Sequence, residues 1–271
     1  MLSDTQGIPE SVTHPRPQDT GVREPGAPSG APTALGAGPH LVEKDELDEW
    51  QAKPYGQTLI YNRAALFEMI SQGRDLEAMA SYFLLRILGC AAVYGLCLGF
   101  YTFNLQILAS AGKLPVLLLG TLGICLPALF TFNVLLGSRL GMRQTLSVLL
   151  VSTYLTSLVL MSLAPIVLFF IISTPDKEFV FLLNLVCCTI GGGFGLNLLW
   201  QGMQYVTQRS GACYHPRIIQ VWSLIYVFVG TQFSWLLRPF IGSRGEEFVL
   251  FRTIEGNFYV AVARTIYALF Q

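Results

Sequence analysis

The sequence predicts an all-α polytopic membrane protein, a bundle of five transmembrane helices. Three observations predict it. The 271 residues are 52% hydrophobic and 13% charged, about half the charge of an ordinary soluble domain. The mean hydropathy is +0.52. The carboxylates are also unevenly placed: 78–175 and 179–245 contain no Asp or Glu. A carboxylate in lipid is costly and is kept for a task such as proton relay. These stretches therefore argue against an acidic proton relay and against carboxylate-based hydrolysis within the membrane. The formal net charge is zero, so no basic field invites nucleic acid.

Residues 1–42 carry seven of the fourteen prolines, six glycines and no aromatic residue. Such a composition buries too little apolar surface to offset the entropy of ordering, which predicts a disordered tail. It also lacks a basic segment followed by an apolar one, so no cleavable signal peptide is expected. "EKDELDEW" (43–50) reads as an acidic, solvated boundary, and 43–80 as that linker plus an amphipathic helix. Within "LIYNRAALFEMISQGRDLEAMA" (59–80), Leu59, Arg63, Leu66, Phe67, Ile70 and Arg74 suit a helix lying on the membrane surface, with Gly73 as a break. A loose soluble helix is the plainer alternative.

The bundle is expected over 81–237, with spans at 83–104, 114–136, 145–172, 179–203 and 218–237. Each is near or above the roughly 20 residues that cross a bilayer. The third is long and has Pro165 as a point of tilt or bend. The segment 238–271 is expected at the interface. Its end, "GNFYVAVARTIYALFQ" (256–271), is short for a span and carries Arg264, but puts Phe258, Val262, Ile266 and Phe270 on one face.

Arginine sets the orientation. The side that holds the N-terminus has Arg63, Arg74, Arg86, Arg139, Arg143, Arg209 and Arg217, against Lys113 and Lys177 on the other. The positive-inside rule then places the N-terminus in the cytoplasm. Arg238, Arg244, Arg252 and Arg264 would fit better with a sixth span and both ends inside.

No catalytic, cofactor or metal site is expected. Five of the six cysteines lie in apolar runs, none forms CxxC, and two of the three histidines, His14 and His40, fall in the tail. "TIGGGFGLN" (189–197) lacks the Lys-Ser/Thr of a phosphate loop. Gly191 and Gly195 are instead a helix-packing pair, a device that Ala91, Gly95 and Gly99 repeat in the first span. The sequence does not reveal whether the partner helices belong to the same chain.

Among polar residues in the spans, Asn133, Asn197 and Gln232 could converge on a small polar cavity, or simply bond neighbouring helices as Thr153, Ser157 and Asn184 would. "WLLRPFIG" (235–242) ends an apolar run. Trp235 suits a headgroup boundary, Arg238 can snorkel, and Pro239 stops a helix. Alternatively Gln232, Trp235 and Arg238 contact a lipid phosphate or a partner.

Four blocks, "KLPVLLLGTLGICLPALFTFNVLLGSRLGMRQTL" (113–146), "TSLVLMSLAPIVLFFIIST" (156–174), "FVGTQFSWLLRPFIGS" (228–243) and "FRTIEGNFY" (251–259), resemble an uncharacterised family of bacterial multi-pass inner-membrane proteins. Some of its members carry an actin-binding label, but no LKK-type contact follows an amphipathic helix here. The second block is distantly similar to the Yip family of small multispanning proteins. The resemblance implies an inner-membrane location, no cofactor and no catalytic residues. The function expected is that of a non-enzymatic scaffold that binds lipid, a membrane-protein partner or a second copy. A small pore or transporter lined by Asn and Gln is the alternative.

Overall fold

The computed structural model describes residues 44–100, 106–135, 141–174, 176–209, 216–237, 259, 260 and 262. The elements are α1 (Lys44–Gln51), α2 (Tyr55–Tyr61), α3 (Arg63–Gln72), α4 (Leu76–Gly99), α5 (Gln106–Leu135), α6 (Met142–Ser173), α7 (Lys177–Arg209) and α8 (Pro216–Leu236). Among the described residues there is no strand. Five helices, α4 to α8, are long and apolar enough to cross a membrane. They match the five expected spans in number and order, although α4 covers Leu76–Gly99 rather than 83–104, α5 begins at Gln106 rather than 114, and α7 runs to Arg209 rather than 203. α6 passes through Pro165 as one helix.

The short helices are delimited by local chemistry. Asn62 caps α3, its Oδ1 accepting from the Ala65 N–H at 3.1 Å. Gly73 ends α3 at φ 71°, with the Arg74 N–H donating to the Met69 carbonyl at 3.0 Å, the glycine-terminated Schellman pattern. The expected surface helix over 59–80, with its break at Gly73, is parts of three helices, with a further stop at Asn62. α3 is also not a surface element, since every residue from Ala65 to Ile70 is buried.

α1 keeps the expected exposed acids, Asp45, Glu46, Asp48 and Glu49, but is an anchored helix rather than a linker. Leu47 is buried in the main core, and the polar face of α1 is bonded to the helices beside it. Asn62 Nδ2 donates to Glu46 at 2.8 Å, Arg74 to Asp48 at 3.1 Å, and Gln51 to Asp75 at 2.6 Å. Together α1, α2 and α3 form a cap on one end of the bundle. An aromatic cluster joins it to the helices below, Tyr55 against Tyr82, Tyr82 against Phe83, and Phe83 against Tyr154.

α6 is the hub. It packs most broadly on α4 and α7 and also touches α5 and α3, while α8 lies mainly on α5. The small-residue faces meet partners inside the chain. A Cβ added to Gly95 would strike the Ser110 carbonyl oxygen and reach 2.9 Å from Ala111 Cα; one on Gly99 would strike Ile107. One on Gly195 would strike Thr156 and come within 2.9 Å of the Ser152 carbonyl; on Gly191 it would lie 3.2 Å from Leu160. Ala91 is buried beside Gly95. So α4 closes on α5 and α7 on α6 by backbone-to-backbone approach.

This predicts a graded glycine series. Gly95→Ala pushes a methyl into backbone that cannot rotate away, and the thermal midpoint in one detergent should fall, with a loss of about 1–3 kcal/mol. Gly193→Ala, whose Cβ meets nothing within 4 Å, should be neutral or stabilising by up to about 1 kcal/mol.

Candidate functional site: the clamp between the cap and the bundle

In "RAALFEMISQ", Phe67 and Glu68 bring α3 to α7. Phe67 seats over Gly202, where a Cβ would come within 2.8 Å of its ring and 2.9 Å of Val148. This glycine admits the cap into the groove between α6 and α7. One residue on, Glu68 is 4% exposed and meets Tyr205 and Arg209, which stand four apart on one face of α7.

Arg209 grips the carboxylate with two parallel bonds, Nε to Oε2 and Nη2 to Oε1, each 2.8 Å. The Tyr205 hydroxyl donates to Oε2 at 2.8 Å, and Gln72 Nε2 to Oε1 at 2.9 Å. Each oxygen thus accepts two hydrogen bonds. Burial alone would raise the Glu68 pKa, but the bonds from Arg209, Gln72 and Tyr205, with the arginine charge, hold it below its ordinary value. The group is a fixed carboxylate at neutral pH, not a proton carrier. A pocket of about 220 Å³ opens beside it, lined by Glu68, Ser71, Gln72 and Arg209.

A second fastening lies behind the first. Gln144, in the first turn of α6, donates to the Ile70 and Ser71 carbonyls at 3.1 and 2.9 Å and accepts from the Gly141 N–H at 3.0 Å. One amide thereby satisfies the end of α3 and the start of α6 together. Arg143 and Glu77 pair at 2.7 Å nearby, but both are more than three-quarters exposed, so that pair adds little.

The residues expected to line a polar cavity do not meet. Phe233 covers Gly120, so Gln232 stands near that level. Asn133 lies thirteen residues further along antiparallel α5, about 20 Å away along the axis. Asn197 is exposed, and Gln201 donates to it at 3.4 Å. Its neighbour Trp200 bonds Ser223 at 2.8 Å, nine residues or about 13 Å from Gln232. The expected convergence fails because α5 and α8 run in opposite directions. The side chain of Asn133 lies outside the described residues, as does Arg238. Of the contact expected at the end of α8, Gln232 is half-buried, and Trp235 is buried in the bundle at 8% exposure. Asn184 serves as glue: the Tyr94 hydroxyl donates to it at 2.9 Å, linking α4 to α7.

Glu68, Tyr205, Arg209, Gln144 and Gly202 were not singled out by the sequence reading. A usable signal was present, since Glu68 interrupts the run "AALFEMI", and a lone acid on an otherwise apolar helix requires a cation. Comparisons with protein-family models, curated proteins and solved structures find no match to the chain in any of the three.

Arg209→Ala leaves a buried carboxylate without its cation, which should cost about 2–3 kcal/mol of cap docking. Hydrogen exchange of the α3 amides should quicken, and Glu68→Leu added to Arg209→Ala should recover part of the loss. Because the folded pKa of Glu68 is lowered, its contribution is fully present above the unfolded value near 4.5. It is lost as pH falls through the lower folded value. Cap protection should hold from neutral pH to about 5 and then decline in acid, and Glu68→Gln should remove that component of the decline.

Proposed function

We propose that this is a non-enzymatic scaffold of a bacterial inner membrane, with the N-terminal cap in the cytoplasm, and that it acts by binding a membrane-protein partner, a second copy of itself or lipid. The observation that carries the reading is the clamp. The most deeply buried charged group of the described residues receives four hydrogen bonds, two of them from an arginine. A group saturated in this way holds elements together and has no lone pair left for a reactant. The cytoplasmic side is supported by the arginines at the cap end, Arg63, Arg74, Arg86, Arg143, Arg209 and Arg217, against Lys177 at the other, Lys113 being buried within the α5 span. The bacterial setting follows from the resemblance of the four sequence blocks. Zero net charge favours membrane company over nucleic acid.

The small-residue faces of α4 and α7 are used within the chain, so the surface offered to a partner is the cap and the lipid-facing sides. In mild detergent the native protein should migrate as a defined complex that Arg209→Ala disperses, while liposomes carrying the protein leak no faster than empty ones. Solute-specific flux abolished by Asn197→Leu would instead establish a transporter.

A further inference from the structure

We infer that the hydrocarbon of the bilayer ends at a ring through Leu84 on α4, Trp200 on α7 and Val221 on α8, so that the cap-side ends of these helices, with α1–α3, form a folded head standing in water. The inference rests on the reading of α4–α8 as membrane spans, and holds for a scaffold or a transporter alike.

The helices are too long for the bilayer. α6 and α7 have 32 and 33 residues, about 48 and 50 Å of helix, against a hydrocarbon core of roughly 30 Å. Tilt or projection must absorb the excess, and the exposed side chains decide between them. On α4 the exposed residues are Glu77, Ala78 and Ser81, then Leu84, Leu85, Arg86, Leu88, Gly89 and Val93, with Arg86 turned back toward the cap. On α7 they are Glu178 at the far end, then Val186, Thr189, Ile190, Gly193, Phe194 and Asn197, but Gln204, Gln208 and Arg209 below Trp200. On α8, Arg217 and Gln220 give way to Val221, Leu224 and Val227.

These three switches lie at one level. Trp200 bonds Ser223 across α7 and α8. Phe83 packs on Tyr154, and α6 meets Gly202 through Val148 and Gly195 through Ser152, which sets Leu84 within about a turn of Trp200. α5 is the exception, with Val134 half exposed on the cap side of the ring, so the boundary is read from the other three helices.

The ring has the furniture of an interface. Trp200 is partly exposed with its indole N–H bonded, and exposed Arg86 lies 5.1 Å over the Tyr82 ring, on the cap side of its own position. An amphipathic aromatic and a snorkelling arginine belong at headgroup depth. Below the ring, the head extends about 13 Å from Trp200 to Arg209. There amide and charged side chains join the exposed surface, alongside exposed Ile60, Tyr61 and Met142, and α6 is enclosed by protein from Ser147 to Tyr154.

The native protein, reconstituted with lipids carrying a diazirine at mid-chain and irradiated, should be tagged at Leu85, Phe194 and Val227 and not at Ser81, Gln204 or Gln220. A complementary pair reads the opposite phase in nanodiscs with a membrane-impermeant amine reagent: Gln204→Lys should react about a hundredfold faster than Phe194→Lys. Tagging of Gln204 and Gln220 as strong as that of Phe194, or equal reactivity of the two lysines, overturns the boundary while leaving the spans in place. Absence of tagging on all five helices overturns the membrane reading on which it rests.

Discussion

Burial of α6 on every side between Ser147 and Tyr154 is the constraint on which the other elements depend. A helix with no outward face must be covered around its whole circumference. α4, α5, α7 and α3 supply the cover. Its polar side chains could not survive there without partners, and they find them within the helix. Ser147, Ser152 and Thr153 each donate to the carbonyl four residues back, at 2.9, 2.9 and 2.8 Å. The Ser147 and Ser152 hydroxyls are therefore satisfied within the helix, while Thr153 also meets the Tyr226 hydroxyl of α8; elsewhere the neighbouring helices approach α6 by shape. Shape is what Gly195 and Gly202 provide, since each lets α7 or the cap come as close as the backbone permits.

Covering the cap-side half of α6 demands an element that the five long helices do not supply, and α3 fills the gap. Its apolar residues seat against α6 and α7, and that placement carries Glu68 into the interior with them. Desolvating a carboxylate is expensive, and the expense is met only if the partners are complete. The bidentate arginine, the tyrosine and the glutamine make them complete. The clamp is thus a consequence of how deeply α3 must go, and it makes docking specific in register: a slip of one residue along α3 would strand a charge.

The spans were legible because their signal is local: length, apolar composition and the lack of carboxylates are properties of one segment at a time. The same locality explains what was not legible. Gly191 and Gly195 announce a close helix contact, but nothing in their spacing names Thr156 and Ser152 as the partners. Asn133 and Gln232 read as candidates for one cavity until the antiparallel run of α5 and α8 sets them about 20 Å apart. Within 59–80 the break at Gly73 was legible, whereas the stop at Asn62 sits among helix-compatible residues. Nothing beside Glu68 in the sequence marks it as buried, and its cation stands 141 positions away.

Charge in this chain is sorted by height, and the sorting ties the clamp to the membrane. The described ion pairs that cross between elements, Asp48–Arg74, Glu77–Arg143 and Glu68–Arg209, all lie at the cap end. Above the proposed boundary, Tyr94 and Asn184 join α4 to α7 through neutral groups, and Lys113 is buried on α5. The division follows from solvation. An ion pair in lipid loses the hydration of both partners and has little to replace it, whereas a pair inside a head bathed by water keeps one side wet, as Arg209 does with its side chain 35% exposed. A charged clamp is therefore affordable only if the head stands clear of the hydrocarbon. The length of α7 beyond Trp200 lifts Tyr205 and Arg209 out of the bilayer to the place where Glu68 can meet them.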